Sequence, residues 1–381
     1  MAALLEVVHK LPGDSELARY RLGVDPTEAR VAERLLAHLR RVLAPAPVDW
    51  SEPPARITGG YETRIYGFRL AGALPPFDGP LVLRLFLDAG CADRARFEAT
   101  VLGAVAAQGY PVPRVHHVWL DTEPLGAAFL LMERVAGTPL FGNSFGPAVL
   151  RMPALLAGAQ LRLHELDAGP VTRAIEAAGF VPAALSIDMQ TGWATSHVAE
   201  LRLAGLAPGI AWLAGHRPAE REVPVLCHGD FHPMNVLVHK GRVVGVIDWT
   251  LLHVKLASPA YDVGSTLALL SHGPVAVPAP LRAAINFVRR RLVAMYRRRY
   301  LSAHPLDRTA VAWHEALRCF FFLLEAAEQR LADLGRIERP AKPSAFAAPY
   351  TQRAVIRRFR ALTGVTLALP VDTPLPDDFG A

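Results

Sequence analysis

Apolar residues recur along this chain at two spacings, and the switch from one to the other divides it. Asp25-Pro26-Thr27-Glu28 has the form of a helix start, with Asp25 as N-cap and Pro26 at the first helical position. Val31, Leu35, Leu36, Leu39 and Leu43 then share one face, and Arg30, Glu33, Arg34, Arg40 and Arg41 the other. Pro45 and Pro47 end the pattern, so residues 1–50 are expected to form a helical extension. From 51 to 134 the apolar runs are short and bounded by turn residues. Ile57 to Leu70 predicts a strand, a turn at Gly59-Gly60 and a second strand. Pro80 to Phe86 predicts another strand, carrying the single cation Arg84. Asp93 to Gln108 returns to helical spacing, with Phe97, Val101, Leu102 and Val105 apolar. Phe129 to Glu133 is an apolar strand that continues through Arg134 and Val135 into a Gly-Pro linker.

Beyond residue 141 the helical period dominates. Met152 to Leu166 carries Leu155, Leu156, Leu161 and Leu163, and residues 309–334 carry Trp313, Leu317, Phe320, Phe321 and Leu324. Residues 281–301 place Leu281, Ile285, Val288, Leu292 and Met295 on one face, beside Arg289, Arg290, Arg291, Arg297, Arg298 and Arg299. Residues 167–222 contain modest helical segments without a motif. One β signal interrupts this half. Val236 to His239, a Lys240-Gly241 turn and Arg242 to Trp249 predict a hairpin. The expectation is an α+β chain: a β-rich N-lobe at 51–134, a mostly helical C-lobe at 135–365, and a loose Pro- and Asp-rich tail at 366–381.

Cys227-His228-Gly229-Asp230-Phe231-His232-Pro233-Met234-Asn235 leads directly into that hairpin. Because the hairpin folds back, Asp248 at its far end can return close to this loop. Phosphoryl transfer needs a carboxylate at the acceptor hydroxyl, with an amide and a second carboxylate to hold metal ions on the nucleotide phosphates. Asp230 and Asn235 stand five positions apart, as Asp and Asn do in the protein-kinase catalytic loop. The pattern H-G-D-x-H-x-x-N, strand, I-D-W resembles the aminoglycoside phosphotransferase and choline kinase group of small-molecule kinases. That resemblance implies a two-lobed, protein kinase-like fold with ATP or GTP as phosphoryl donor and Mg2+ as cofactor. It implies Asp230 as catalytic base and Asn235 and Asp248 as magnesium ligands. It further implies a nucleotide-covering turn at Gly59 and Gly60, a phosphate-side cation at Arg84 and a helix glutamate, Glu98, paired with that cation. Arg84 is a departure from the lysine of protein kinases, and a fixed guanidinium fork suits ion pairing as well as phosphate contact. The backbone of Glu133, Arg134 and Val135 would meet the nucleobase. Asp262, in Ala260-Tyr261-Asp262-Val263-Gly264, is expected to cap a helix and brace the catalytic loop. His164, at the end of an L-R-L-H segment, is expected to be a structural hydrogen-bonding residue.

Composition narrows the partners. The chain has 381 residues, 51% hydrophobic and 20% charged, with a formal net charge of +6. That admits a large core and excludes global disorder. A basic balance suits a nucleoside triphosphate, and also nucleic acid or a membrane surface. The arginines of 281–301 are expected on a solvated helix, so neither nucleic acid nor membrane is an expected partner; the expected partners are a nucleoside triphosphate and a small hydroxyl acceptor. Cys91, Cys227 and Cys319 form no metal spacing, and a reduced, cytoplasmic setting is the simplest reading. The alternative to an active kinase is a catalytically silent nucleotide-binding module of the same fold.

Overall fold

Residue parity builds the first sheet. In the computed structural model, residues 28–57, 63–87, 90–141, 147–219, 223–273, 282–338 and 344–370 are described. Strands β1 (Asp49–Arg56), β2 (Thr63–Ala71), β3 (Leu81–Phe86), β4 (Val115–Trp119) and β5 (Phe129–Glu133) make an antiparallel sheet in the order β1-β2-β3-β5-β4. Successive side chains alternate between faces. Tyr66, Phe68, Leu70, Leu81, Leu83, Leu85, Phe129 and Leu131 point one way and pack on Val31, Leu35 and Leu39 of helix α1 (Glu28–Val42). Phe86, Leu130 and Met132 point the other way and pack on Cys91 and Ala95 of helix α2 (Cys91–Ala106). Arg84 shares the parity of Val82 and Phe86, so it faces α2.

The first strand lies earlier than the apolar pattern indicated. It spans Asp49–Arg56 and includes Pro53 and Pro54, while Ile57 falls just after it. An edge strand tolerates missing N–H donors, and register shifts between Trp50 and Glu52 and between Glu52 and Ala55 absorb them. The predicted turn at Gly59 and Gly60, and the Asp25 helix start, lie outside the described residues.

Short strand β6 (Thr138–Pro139) pairs with β8 (Val236–His239), which pairs with β9 (Arg242–Val246). Lys240 (φ 48°) and Gly241 (φ 75°) form the tight turn of this hairpin; two left-handed residues match the natural strand twist. The second strand ends at Val246, short of Trp249, because Asp248 takes a left-handed φ of 72°.

The helical part contains α3 (Met152–His164), α4 (Ala168–Ala177), α5 (Ile187–Glu200), α6 (Ala207–Gly215), α7 (Pro259–His272), α8 (Arg282–Ala303), α9 (Arg308–Asp333) and α10 (Pro349–Thr363). A small ribbon pairs β7 (Val225–Cys227) with β10 (Lys255–Ala257). The chain divides into two compact units. One is drawn from Met1–Val149, Glu165–Leu185 and Pro233–Val254; the other from Leu150–His164, Ser186–His232 and Lys255–Ala381. In the second unit Trp313, Leu317, Phe320, Phe322, Leu323 and Leu324 of α9 anchor the core. On α8 the buried stripe is Leu292, Tyr296 and Tyr300, whereas Val288 and Met295 are exposed. The tyrosines win because their hydroxyls find partners inside: Tyr296 bonds Gln160, and Tyr300 bonds His164 at 2.6 Å. Among the described residues no helix is long and apolar enough to cross a membrane.

Gly264 sets the approach of α7 to α9. A Cβ there would stand 2.7 Å from the Glu315 nitrogen and the His314 Cβ, and 2.8 Å from the Val311 carbonyl. Gly264→Ala is therefore expected to cost about 1–3 kcal/mol through overpacking. Urea unfolding would measure it; an unchanged midpoint would show that the two helices can separate freely.

Candidate active site

In the first unit, strand pairing gathers two expected residues, Asn235 and Asp248. Val236 pairs with Val246, and the Ile247 N–H donates to the Asn235 carbonyl at 2.9 Å. The hairpin thus closes with Asn235 opposite Ile247 and Asp248 next along. Asn235 is buried; the Asp248 carboxylate is 38% exposed. A left-handed backbone at a non-glycine residue is uncommon and is tolerated best by Asp and Asn. It lets the chain leave the strand sharply while Trp249 stays buried, its indole N–H donating to the Val246 carbonyl at 3.0 Å.

Arg84 joins this hairpin end to the five-stranded sheet. Its Nε lies 3.2 Å from Glu98 Oε2, and its Nη2 lies 2.6 Å from Asp248 Oδ1. Arg84 and Glu98 are both buried. Strand β3 aims the guanidinium at α2, and α2 carries Glu98 on its buried side, so the pair follows from sheet parity and helix phase together. Burying two charges is costly unless each is paired, and Glu98–Arg84–Asp248 forms a continuous acid–base–acid chain.

The segment after β5 is committed to the chain on two of its donors. Glu133 N–H bonds the Arg114 carbonyl at 2.9 Å, and Arg134 N–H bonds the Pro80 carbonyl at 2.8 Å. A donor from this segment to a ligand therefore comes from beyond Arg134. The Arg134 guanidinium lies over Gly67 of β2, 3.0 Å from where a Cβ would stand, and the Val135 side chain packs against Gly245.

The second unit carries Asp230. The loop before it is held by one buried carboxylate, Asp262. The His228 N–H donates to Asp262 Oδ2 at 3.1 Å and the Gly229 N–H to Oδ1 at 2.7 Å. Gly229 has a φ of 74°, a conformation suited to glycine. His164 Nε2 completes the group at 3.1 Å from Oδ2, and its Nδ1 meets Tyr300 Oη. The helix cap itself is Ser258, whose hydroxyl accepts from the Ala260 N–H at 3.2 Å. Asp262 sits one turn in, so it braces the loop without capping the helix; a shorter side chain at the true N-cap position reaches the free amides better.

Asp230 itself is largely buried. Its Oδ1 receives Arg318 Nη2 of α9 at 2.6 Å, and His232 Nε2 lies 3.3 Å from Oδ2. Its backbone N–H donates to His228 Nδ1 at 3.2 Å. The sequence reading missed Arg318. A signal was present: this arginine interrupts an otherwise apolar run, Ala316-Leu317-Arg318-Cys319-Phe320. It also missed Lys255, buried on β10, whose pKa is pushed down to about 7 by burial, with the charge of Arg318 adding to the shift. Cys227 is fully buried, with Sγ directed at the carbonyls of Ala257 and Ser258, and burial drives its thiol pKa well up. It is a structural thiol, not a nucleophile.

His164, Cys227 and Asp262 lie close enough to share a metal ion. Their donor atoms are taken, however: both Asp262 oxygens by loop N–H groups and by His164, and the second His164 nitrogen by Tyr300. Asn235 and Asp248 are better suited to a hard cation. Both present oxygen, which Mg2+ prefers, and the hairpin brings them to one end.

Burial pushes Asp262 toward protonation, but the hydrogen bond and charge of His164, the charge of His228 and the Gly229 N–H outweigh it and hold the carboxyl below its ordinary 3.8. The unfolded chain takes up this proton near pH 4. The stabilisation is therefore present above about pH 4 and is lost as pH falls through the lower folded value. Asp262→Ala is expected to cost about 3–5 kcal/mol at pH 7, since it orphans three buried donors. Urea unfolding from pH 7 down to pH 3 would show the gap to the parent protein narrowing; a gap constant with pH would exclude the ionised carboxylate as its source.

The profile of the phosphotransferase enzyme family (APH) matches residues 54–304. A candidate aminoglycoside phosphotransferase from Ralstonia eutropha superposes with a TM-score of 0.59 at 19% identity, covering 87% of this chain and 98% of that one. A ternary complex of aminoglycoside phosphotransferase APH(4)-Ia with AMP-PNP and hygromycin B superposes at 0.53 and 18% identity, covering 83% and 96%. These likenesses establish the kinase-like fold. Among curated proteins, acyl-CoA dehydrogenase family member 11 of Gallus gallus is 27% identical over 161 residues, 40% of this chain and 20% of that protein. The chain thus spans about a fifth of the length of that relative.

Proposed function

The chain belongs to the phosphotransferase enzyme family, and from that premise we propose that it moves the γ-phosphate of ATP or GTP to a hydroxyl of a small molecule. The observation that carries this reading is the Glu98–Arg84–Asp248 chain beside Asn235. A buried cation held between two carboxylates, at the end of a hairpin that also presents an amide, is suited to binding phosphates and a divalent ion. Structural neighbours hold AMP-PNP with hygromycin B or are macrolide 2'-phosphotransferases; those acceptors belong to those proteins, and here the acceptor class is the object of the test.

In the proposed reaction the acceptor oxygen forms a bond to the γ-phosphorus as the bond to the β–γ bridging oxygen breaks. The hydroxyl proton passes toward the Asp230 carboxylate, and the nucleoside diphosphate leaves. Asn235 and Asp248 would hold Mg2+, which when bound neutralises charge on the phosphates. Arg84 adds a fixed positive charge, oriented by Glu98. Residues beyond Arg134 in the segment after β5 would meet the base through the main chain.

The test is magnesium-dependent transfer of labelled γ-phosphate from ATP and GTP to a panel of aminoglycosides, macrolides, amino alcohols and sugars. Transfer to one acceptor is expected, with Asp230→Asn slower by about 10²–10⁴-fold. Nucleotide binding without transfer would favour a silent module, and absence of nucleotide binding would overturn the proposal.

A further inference from the structure

Helix α8 carries seven of the chain's 41 basic residues and no acid; the other 34 stand against 35 acids, so the whole formal excess of +6 sits on this one helix. No Asp or Glu occurs between Asp262 and Asp307. Acids three or four residues away would neutralise a solvated basic helix; α8 has none. Packing also reverses part of the sequence pattern. Leu292, Tyr296 and Tyr300 recur every four residues and take the buried face. Phe287, Arg291, Met295 and Arg298 recur at spacings of four and three and share another face, with Val288 beside them. Phe287 is 52% exposed, Val288 45% and Met295 43%. Arg290, Arg291, Arg297, Arg298 and Arg299 are exposed around them, and the Arg291 Cζ lies 5.3 Å from the centroid of the Phe287 ring. Arg289 instead turns inward and donates to the Ser271 and Gly273 carbonyls at 3.1 and 2.8 Å.

We propose that this exposed face of α8 docks on an anionic bilayer surface. Charge selects the class of partner, because a concentrated set of arginines attracts a polyanionic surface. The apolar residues select among polyanions. Phe287, Val288 and Met295 can enter the boundary between headgroups and acyl chains, while the arginine stems lie along it and their guanidiniums stay with the lipid phosphates. A nucleic acid backbone offers phosphates too, but gives Val288 and Met295 no apolar partner. Leu292, Tyr296 and Tyr300 hold another face of the helix in the protein core, so α8 lies along the interface as part of the folded chain.

The experiment is co-sedimentation of the full chain with vesicles of phosphatidylcholine alone or with about 30 mol% phosphatidylserine. Binding to the anionic vesicles is expected to be at least about tenfold tighter than to the neutral ones, and to weaken as NaCl rises from about 0.1 to about 0.5 M. Arg291→Gln with Arg298→Gln is expected to weaken it about 10–30-fold. Phe287→Ser with Met295→Ser keeps every charge and is expected to weaken it several-fold. These side chains are exposed, so each pair is expected to unfold in urea near the parent midpoint. Should a pair fail to fold, Arg298→Gln alone and Met295→Ser alone carry the same comparison with smaller losses. The proposal is overturned if the anionic vesicles are not preferred, or if the arginine pair or the apolar pair binds them as tightly as the parent. Binding to a DNA duplex but not to anionic vesicles would assign the arginines to nucleic acid and overturn it as well.

Discussion

Asp262 is the buried carboxylate on which the His228–Asp230 loop hangs. Removing a carboxylate from water costs several kcal/mol unless its lone pairs are filled, and this one is filled by two successive backbone N–H groups and an imidazole. The arrangement converts a desolvation cost into a geometric constraint. The loop cannot shift without leaving a charge unpaired, so Gly229 is kept in its left-handed conformation and Asp230 at a defined height. The brace extends outward through His164 to Tyr300, and α3 is tied in parallel by Gln160, which bonds both Tyr296 and Thr266. Thr266 returns to the loop itself, donating to the Phe231 carbonyl at 2.9 Å.

The other unit solves a similar problem with opposite charge. There the buried group is a cation, Arg84, and acids flank it. Arginine suits the position because its planar fork can serve Glu98 and Asp248 from different nitrogens, which a lysine ammonium would do with less geometric definition. Asp248 is the more exposed end of that chain, and its backbone takes a left-handed φ of 72°. The same sharp exit ends β9 early, so the conformation that shortens the strand also leaves the Asp248 carboxylate at the hairpin end.

Much of this was legible along the chain. Period-two runs marked strands β2, β3 and β5, and the Lys240-Gly241 turn marked the hairpin, because these signals are local: they depend on which side chains share a face and on residues that accept positive φ. The motif spacing around Asp230, Asn235 and Asp248 was equally local, since the hairpin that reunites its ends is only a few residues long. The first strand lies earlier than expected, and it includes Pro53 and Pro54, which an edge position accommodates. On α8 Arg290, Arg291, Arg297, Arg298 and Arg299 are exposed as read, but Arg289 is half-buried and donates to the Ser271 and Gly273 carbonyls, and the apolar stripe was drawn through Val288 and Met295. Tyr296 and Tyr300 took the buried face because hydrogen-bond partners on α3 awaited them, and no periodicity carries that information.

The β-rich and helical halves and the hairpin were thus legible in the sequence, and so were the positions of Asp230, Asn235 and Asp248 around it. The tertiary structure alone decided which of them are coupled: Arg84 to Asp248 across 164 residues, Asp262 to the loop across more than thirty, and Arg318 to Asp230 across 88. The division has a physical cause. Secondary structure follows from contacts within a few residues, whereas pairing of buried charges depends on helix separations such as the one Gly264 permits, which are set by packing of the whole core.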